Sequence, residues 1–116
     1  MKVVVIGSSN IDMVAQVSHL PAPGETVGDA NFMQSLGGKG ANQAVAAARL
    51  GGFVTFVTSL GNDMYADILK NHFKKEGITT DYIIDDVNHP TGTALIFVAD
   101  SGETVSYTHL RAHETV

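Results

Sequence analysis

The chain opens on an unbroken apolar run, Val3-Val4-Val5-Ile6, stopped by Gly7. A run without polar alternation predicts a strand over residues 2–6 that is buried on both faces, as at the centre of a parallel sheet. After Gly7-Ser8-Ser9-Asn10, residues 12–17 alternate apolar and polar positions and predict a second strand. Leu20-Pro21-Ala22-Pro23-Gly24-Glu25 is a loop, because two prolines and a glycine in so short a span stop both helix and sheet. Residues 26–34 have mixed polarity and read as an extended edge segment, which the glycines of 37–40 break.

Residues 41–50 are rich in alanine, carry Arg49 in the last turn and are followed by Gly51-Gly52, so the spacing predicts a helix with its stop signal. Residues 53–59, Phe-Val-Thr-Phe-Val-Thr-Ser, alternate aromatic or β-branched positions and predict the next parallel strand. Asn62 or Asp63 can cap a helix running to about residue 75, with Met64, Ala66, Ile68, Leu69 and Phe73 as its buried stripe and Gly77 at its end. Residues 82–84 predict a short strand and residues 93–99 a longer one that turns at Asp100-Ser101-Gly102-Glu103 as if starting a hairpin. Strands alternating with helices in this way define an α/β domain built on a parallel sheet. Residues 104–116 break the pattern. A return strand should alternate apolar positions, yet His109, Arg111, His113 and Glu114 stand where that register wants them. The segment resembles one reading frame of a commonly used sequencing-library adapter, so 104–116 is expected to be a non-native tail.

With 116 residues, 44% hydrophobic and 16% charged, the composition is that of one globular domain or a piece of a larger one. A net charge of −5 argues against nucleic acid and against an anionic membrane as partners. There is no cysteine, which excludes disulfides and thiolate metal sites and makes the reducing cytoplasm the expected compartment. No stretch approaches the roughly 20 apolar residues of a membrane span. The opening residues lack the cleavage pattern of a signal peptide.

The densest chemistry lies in Gly37-Gly38-Lys39-Gly40-Ala41-Asn42-Gln43, glycines running into a helix start. Such a segment can place backbone N–H groups against ligand oxygens. It fails as a P-loop, because Gly40 stands where Ser or Thr must follow Lys39, and as a dinucleotide fingerprint, because Gln43 takes the place of the last glycine. Lys39 and Asn42 suit the hydroxyl groups of a neutral polyol. The same glycines would also serve a plain strand-to-helix turn. Asn10 and Asp12 follow the first strand, at the end of a parallel sheet where ligands sit, and Asp12 can accept from two neighbouring hydroxyls. Asn10 could equally cap its own turn. The five histidines show no metal-ligand spacing outside the tail, Asp85-Asp86 and Lys74-Lys75-Glu76 read as solvated surface, and no hydrolase motif is present.

Three ordered segments, 7–12, 20–26 and 37–44, together with Gly51, Gly61-Asn62-Asp63 and Thr91-Gly92-Thr93-Ala94-Leu95-Ile96-Phe97-Val98, resemble the ribokinase-like carbohydrate kinases from residue 1 to about 103. The resemblance implies a Rossmann-like parallel-sheet core with a small β-sheet lid, formed by segments of about 12–36 and 91–103. It implies ATP-dependent phosphorylation of a pentose, D-ribose first, to ribose 5-phosphate, with Mg2+ and K+ as helpers. Asn10 and Asp12 would hold sugar hydroxyls, Gly38, Lys39, Gly40, Ala41 and Asn42 would complete that wall, and Thr93, Ala94 and Ile96 would belong to the lid, which in this family also joins a homodimer. The family's catalytic aspartate, the glutamate that completes the sugar site, the ATP pocket and the cation sites fall beyond these residues. No catalytic residue or metal ligand is therefore expected here, and the chain alone is expected not to phosphorylate ribose. Another sugar or nucleoside kinase of the family and a non-catalytic sugar-binding module are the rival readings.

Overall fold

The computed structural model describes residues 1–108. Strand β1, Lys2–Ile6, pairs in parallel with β4, Phe53–Val57, in the register Lys2↔Phe53 to Ile6↔Val57. Helix α1, Lys39–Arg49, lies against both strands. β5, Ser59–Gly61, continues β4 after Thr58 and pairs in parallel with the short β6, Ile84–Asp86; between them runs helix α2, Met64–Lys75. The core forms where both helices meet one face of the β1–β4 pair: Val5, Val54 and Phe56 pack with Ala41 and Ala44 of α1 and with Ala66, Leu69 and Phe73 of α2. The alanines bring α1 close to the sheet, and the rings of Phe56 and Phe73 meet edge to face, 5.1 Å apart.

The expectation that β1 is buried on both faces is corrected. Val5 is buried, but Val4 is 65% and Ile6 78% exposed, and Phe53, level with Lys2 on the same outward face, is 75% exposed. Both helices cover the Val5 side, and nothing among the described residues covers the other.

A second sheet of four strands is rooted in this core through the fully buried Ile11, with Met13 and Leu36 packed against it, in the order β3-β2-β7-β8: β3 is Asn31–Gly37, β2 Asn10–Val17, β7 Gly92–Ala99 and β8 Thr104–Thr108. β2 runs antiparallel to β3 and parallel to β7, and β7 antiparallel to β8. β2 starts at Asn10, two residues before the alternation becomes visible. The predicted edge segment 26–34 is moved toward the glycines, because its partner residues on β2 end at Gln16↔Asn31. The predicted helix 41–50 starts two residues earlier, at Lys39, and the predicted strand 82–84 lies at 84–86.

The return strand that the pattern of 104–116 argued against is formed over its first five residues, with Val98↔Thr104, Phe97↔Val105 and Ile96↔Ser106 in register. An edge strand needs only one apolar contact row, and Val105 beside Phe97 supplies it. His109, Arg111, His113 and Glu114 lie outside the described residues. Among the described residues no helix is long and apolar enough to cross a membrane.

Candidate functional site

The site is built where β1 hands over to β2. The turn between them is fixed to the end of β4 by a buried hydrogen bond between the Ser9 and Thr58 hydroxyls, 2.9 Å, and by the Gly7 N–H donating to the Val57 carbonyl, 3.1 Å. Helix α1 begins directly on this turn. Gly38 takes a positive φ of 103°, and a Cβ on it would lie 2.5 Å from the Ser8 carbonyl oxygen. A Cβ on Gly40 would lie 2.6 Å from the Gly7 carbonyl carbon and from the Ser8 nitrogen. The glycines thus let two backbones touch, and the Ala41 N–H donates to the Ser8 carbonyl at 2.9 Å. One of the helix-start donors that the sequence offered to a ligand is spent on this turn. The side chains of Lys39 and Asn42 make no hydrogen bond among the described residues and stay available. Asn42 is exposed and borders an open groove of about 600 Å³ shared with Leu36, Arg49 and His72.

Asn10 is buried, and its side-chain amide donates to Oδ1 of Asp12 at 2.5 Å. Through that contact the Asn10 amide orients the carboxylate. On β2 the two side chains share a face, and the register sets Ala94 beside Asp12 and Ile96 beside Val14, on that same face. The structure therefore brings together Asn10, Asp12, Ala94 and Ile96. It does not bring Thr93 with them. Thr93 pairs with the fully buried Ile11 on the opposite face, and its hydroxyl donates to the Thr91 carbonyl at 3.3 Å.

A second junction was not singled out as functional by the sequence reading. Asp63 caps α2, accepting the Ala66 N–H at 3.0 Å. The same carboxylate accepts the Thr91 N–H at 2.9 Å and the Thr91 hydroxyl at 2.7 Å, while Oγ1 of Thr91 accepts the Gly61 N–H at 3.0 Å. Burial pushes the Asp63 carboxyl up, but the N–H and hydroxyl of Thr91 and the N–H groups of Ala66 and Tyr65 outweigh it and hold it below its ordinary value. This ties the root of β7 to the start of α2. The signal was present in the neighbouring strings Gly61-Asn62-Asp63 and Thr91-Gly92, whose spacing of nearly thirty residues hides their contact.

Among the described residues no three His, Asp or Glu side chains come together as metal ligands. No step is assigned to Mg2+ or K+.

An α/β core bearing a four-stranded plate, with an oriented carboxylate at the plate's root, defines the class. The chain belongs to the pfkB family of carbohydrate kinases, which it matches over residues 1–115. It is 48% identical over 99 residues to the ribokinase of Haemophilus influenzae, an alignment covering 85% of this chain and 32% of that protein. It is 39% identical over 106 residues to the deoxyribokinase of Salmonella typhi, covering 90% and 35%. The fold matches that of an Arabidopsis thaliana ribokinase complexed with ribose and ATP, with a TM-score of 0.87 and 32% identity, covering 93% of this chain and 35% of the other. The fold is therefore ribokinase-like, and the chain spans about a third of the length of these relatives.

Proposed function

We propose that the chain is the amino-terminal part of an ATP-dependent kinase that phosphorylates D-ribose to ribose 5-phosphate, and that it carries one wall of the sugar site and the lid. The observation that carries this reading is the hydrogen-bonded Asn10–Asp12 pair on the plate face that also presents Ala94 and Ile96. A carboxylate already held through Oδ1 can accept sugar hydroxyls without first being ordered, which lowers the entropic cost of binding. Lys39 and Asn42, whose side chains make no hydrogen bond among the described residues, would add donors from the start of α1; Gly38 would offer backbone there, while Gly40 and Ala41, buried against the turn, would act by fixing where the helix begins. Ala94 and Ile96 would close over the sugar and keep water from competing with it as acceptor. ATP bound with Mg2+, and K+ beside it, would supply the phosphoryl group and its charge stabilisation. Their sites and the catalytic base are assigned to the parts of the relatives that this chain does not match. Its acidic, cysteine-free composition supports a cytoplasmic enzyme. Residues 1–103 are the kinase part of this reading; the regular pairing of β8 and the family match, which reaches residue 115, both support extending it and speak against a foreign tail from 104 onward.

The test is a D-ribose titration of the isotope-labelled chain. Ribose is expected to shift the Asn10 side-chain amide and the backbone signals of Asp12 and Ala94, and Asp12→Ala to remove the response. A stronger response to 2-deoxyribose would favour the deoxyribokinase-like alternative, for which the similarity to the Salmonella enzyme is the specific support. Formation of ribose 5-phosphate by the purified chain with ATP would refute the assignment of the catalytic groups elsewhere.

The lid is also proposed as the homodimer surface. Phe32, Ala15, Phe97 and Val105 form one cross-strand row, and Phe32, Phe97 and Val105 are all exposed on it. Phe97→Glu is expected to shift the sedimenting species toward monomer, and an unchanged distribution would remove this surface from the dimer.

A further inference from the structure

We propose that Gly37 is a positioning residue for the sugar: the place where its side chain would stand is the place the Asp12 carboxylate needs. The inference rests on the sugar-site reading above. Gly37 is the last residue of β3, is buried, and lies directly across from Asn10 in the antiparallel register. A Cβ built on it would lie 2.6 Å from Oδ2 and 3.0 Å from Cγ of Asp12, and 3.1 Å from Nδ2 of Asn10. All three atoms belong to the one hydrogen-bonded pair. This separates Gly37 from Gly38 and Gly40, whose added Cβ atoms would meet the backbone of residues 7–9. Gly37 also has no positive φ, so the requirement here is for space alone.

The geometry divides the two carboxylate oxygens. Oδ1 takes the Asn10 amide, and Oδ2 is the oxygen that faces the bare Cα of Gly37. No hydrogen bond among the described residues uses Oδ2, which leaves it for a ligand hydroxyl. A methyl group at position 37 meets the mobile end of the Asp12 side chain at 2.6 Å, so the carboxylate is the group that gives way, and turning it aside strains its bond from Asn10. Displacement of a positioning group by about 1 Å is enough to spoil recognition of a small substrate. Gly37 therefore sets where the acceptor oxygen stands without touching the sugar itself.

The experiment compares the 116-residue chain with Gly37→Ala and with Asp12→Ala/Gly37→Ala. In Gly37→Ala the Asn10 side-chain amide signals move to the positions of a free amide, and the ribose response at Asn10 and Asp12 weakens at least tenfold, while the ring signals of Phe56 and Phe73 stay in place. Because Asp12→Ala removes the obstacle, adding Gly37→Ala to it costs less stability than adding Gly37→Ala to the parent chain. If Gly37→Ala does not fold, the double variant does. A Gly37→Ala chain that keeps the Asn10 signals and the ribose response overturns the inference, and so does additivity of the two substitutions or a double variant that is also unfolded. A parent chain that ignores ribose while the two substitutions still couple overturns the sugar reading instead, and with it the functional role given to Gly37.

Discussion

Gly40→Ala is expected to cause the largest loss of stability of any single substitution in the chain. In an exposed helix this substitution stabilises by about 1 kcal/mol. Here the sign reverses, because the new Cβ would lie 2.6 Å from both the Gly7 carbonyl carbon and the Ser8 nitrogen, and 2.7 Å from the Gly7 Cα. These are backbone atoms on a turn that the Ser9–Thr58 hydrogen bond holds to β4, so neither side can yield alone. Relief requires α1 to lift, which stretches the Ala41 N–H to Ser8 carbonyl bond and draws Ala41 and Ala44 out of the core. Overpacking and lost contacts together put the cost at about 3–5 kcal/mol. That is a large fraction of the stability of a small domain, about 5–15 kcal/mol, and at the lower end it is nearly all of it. Far-ultraviolet circular dichroism across a urea titration measures it. Gly28→Ala, which meets nothing within 4 Å and has no positive φ, is the matched control and is expected to be silent. Equal midpoints for the two variants would show that the close approach carries no weight.

Asp63→Ala is expected to have the next largest effect, about 3–5 kcal/mol. About 1 kcal/mol is the helix cap, and the remainder is the desolvation of the two Thr91 donors left without a partner at a site where Thr91 is 1% exposed. Acid should act in the same direction. The folded-state pKa of Asp63 is depressed, so its contribution is complete above the ordinary carboxylate range and is lost as pH falls through the lower folded value. The stability difference between the parent chain and Asp63→Ala is therefore expected to shrink between pH 7 and pH 3. Urea midpoints at the two pH values measure it, and a constant difference would mean that the charge on Asp63 is not what joins α2 to β7.

Local signals in the sequence located most elements. The alanine-rich α1, the α2 stripe of Ala66, Ile68, Leu69 and Phe73 with Asp63 as a cap candidate, and the alternation of β4 were legible, since each is fixed by residues near in the chain; Met64, expected in that stripe, is 66% exposed because it stands in the first turn, outside the face that meets the core. The register of the plate was not. Residues 26–30 have the same mixed polarity as 31–34, and only pairing with β2 decides which of them become strand. The face of β1 that stays bare was illegible for a related reason: a Val-Val-Val-Ile run records what a strand is suited to, and nothing among the described residues covers its second side. At the site, Asn10 and Asp12 could be chosen from their place after β1. Gly37 could not be told from the other glycines, because its role depends on a carboxylate twenty-five residues earlier in the chain.

The plate that carries Asp12 and Ile96 joins the core along one seam, where Asn10 and Gly92 stand side by side and Thr91 is clamped by Asp63. Were the plate to rock about that seam, distance from it would grade how far each group travels. At a rise of about 3.3 Å per residue, Asp12 lies roughly 7 Å out and Ile96 roughly 13 Å out. A rocking motion that carries Ile96 clear of a bound sugar therefore moves Asp12 only about half as far. In the proposed site the grip and the cover would share one plate, so that its rocking would uncover a sugar before releasing it.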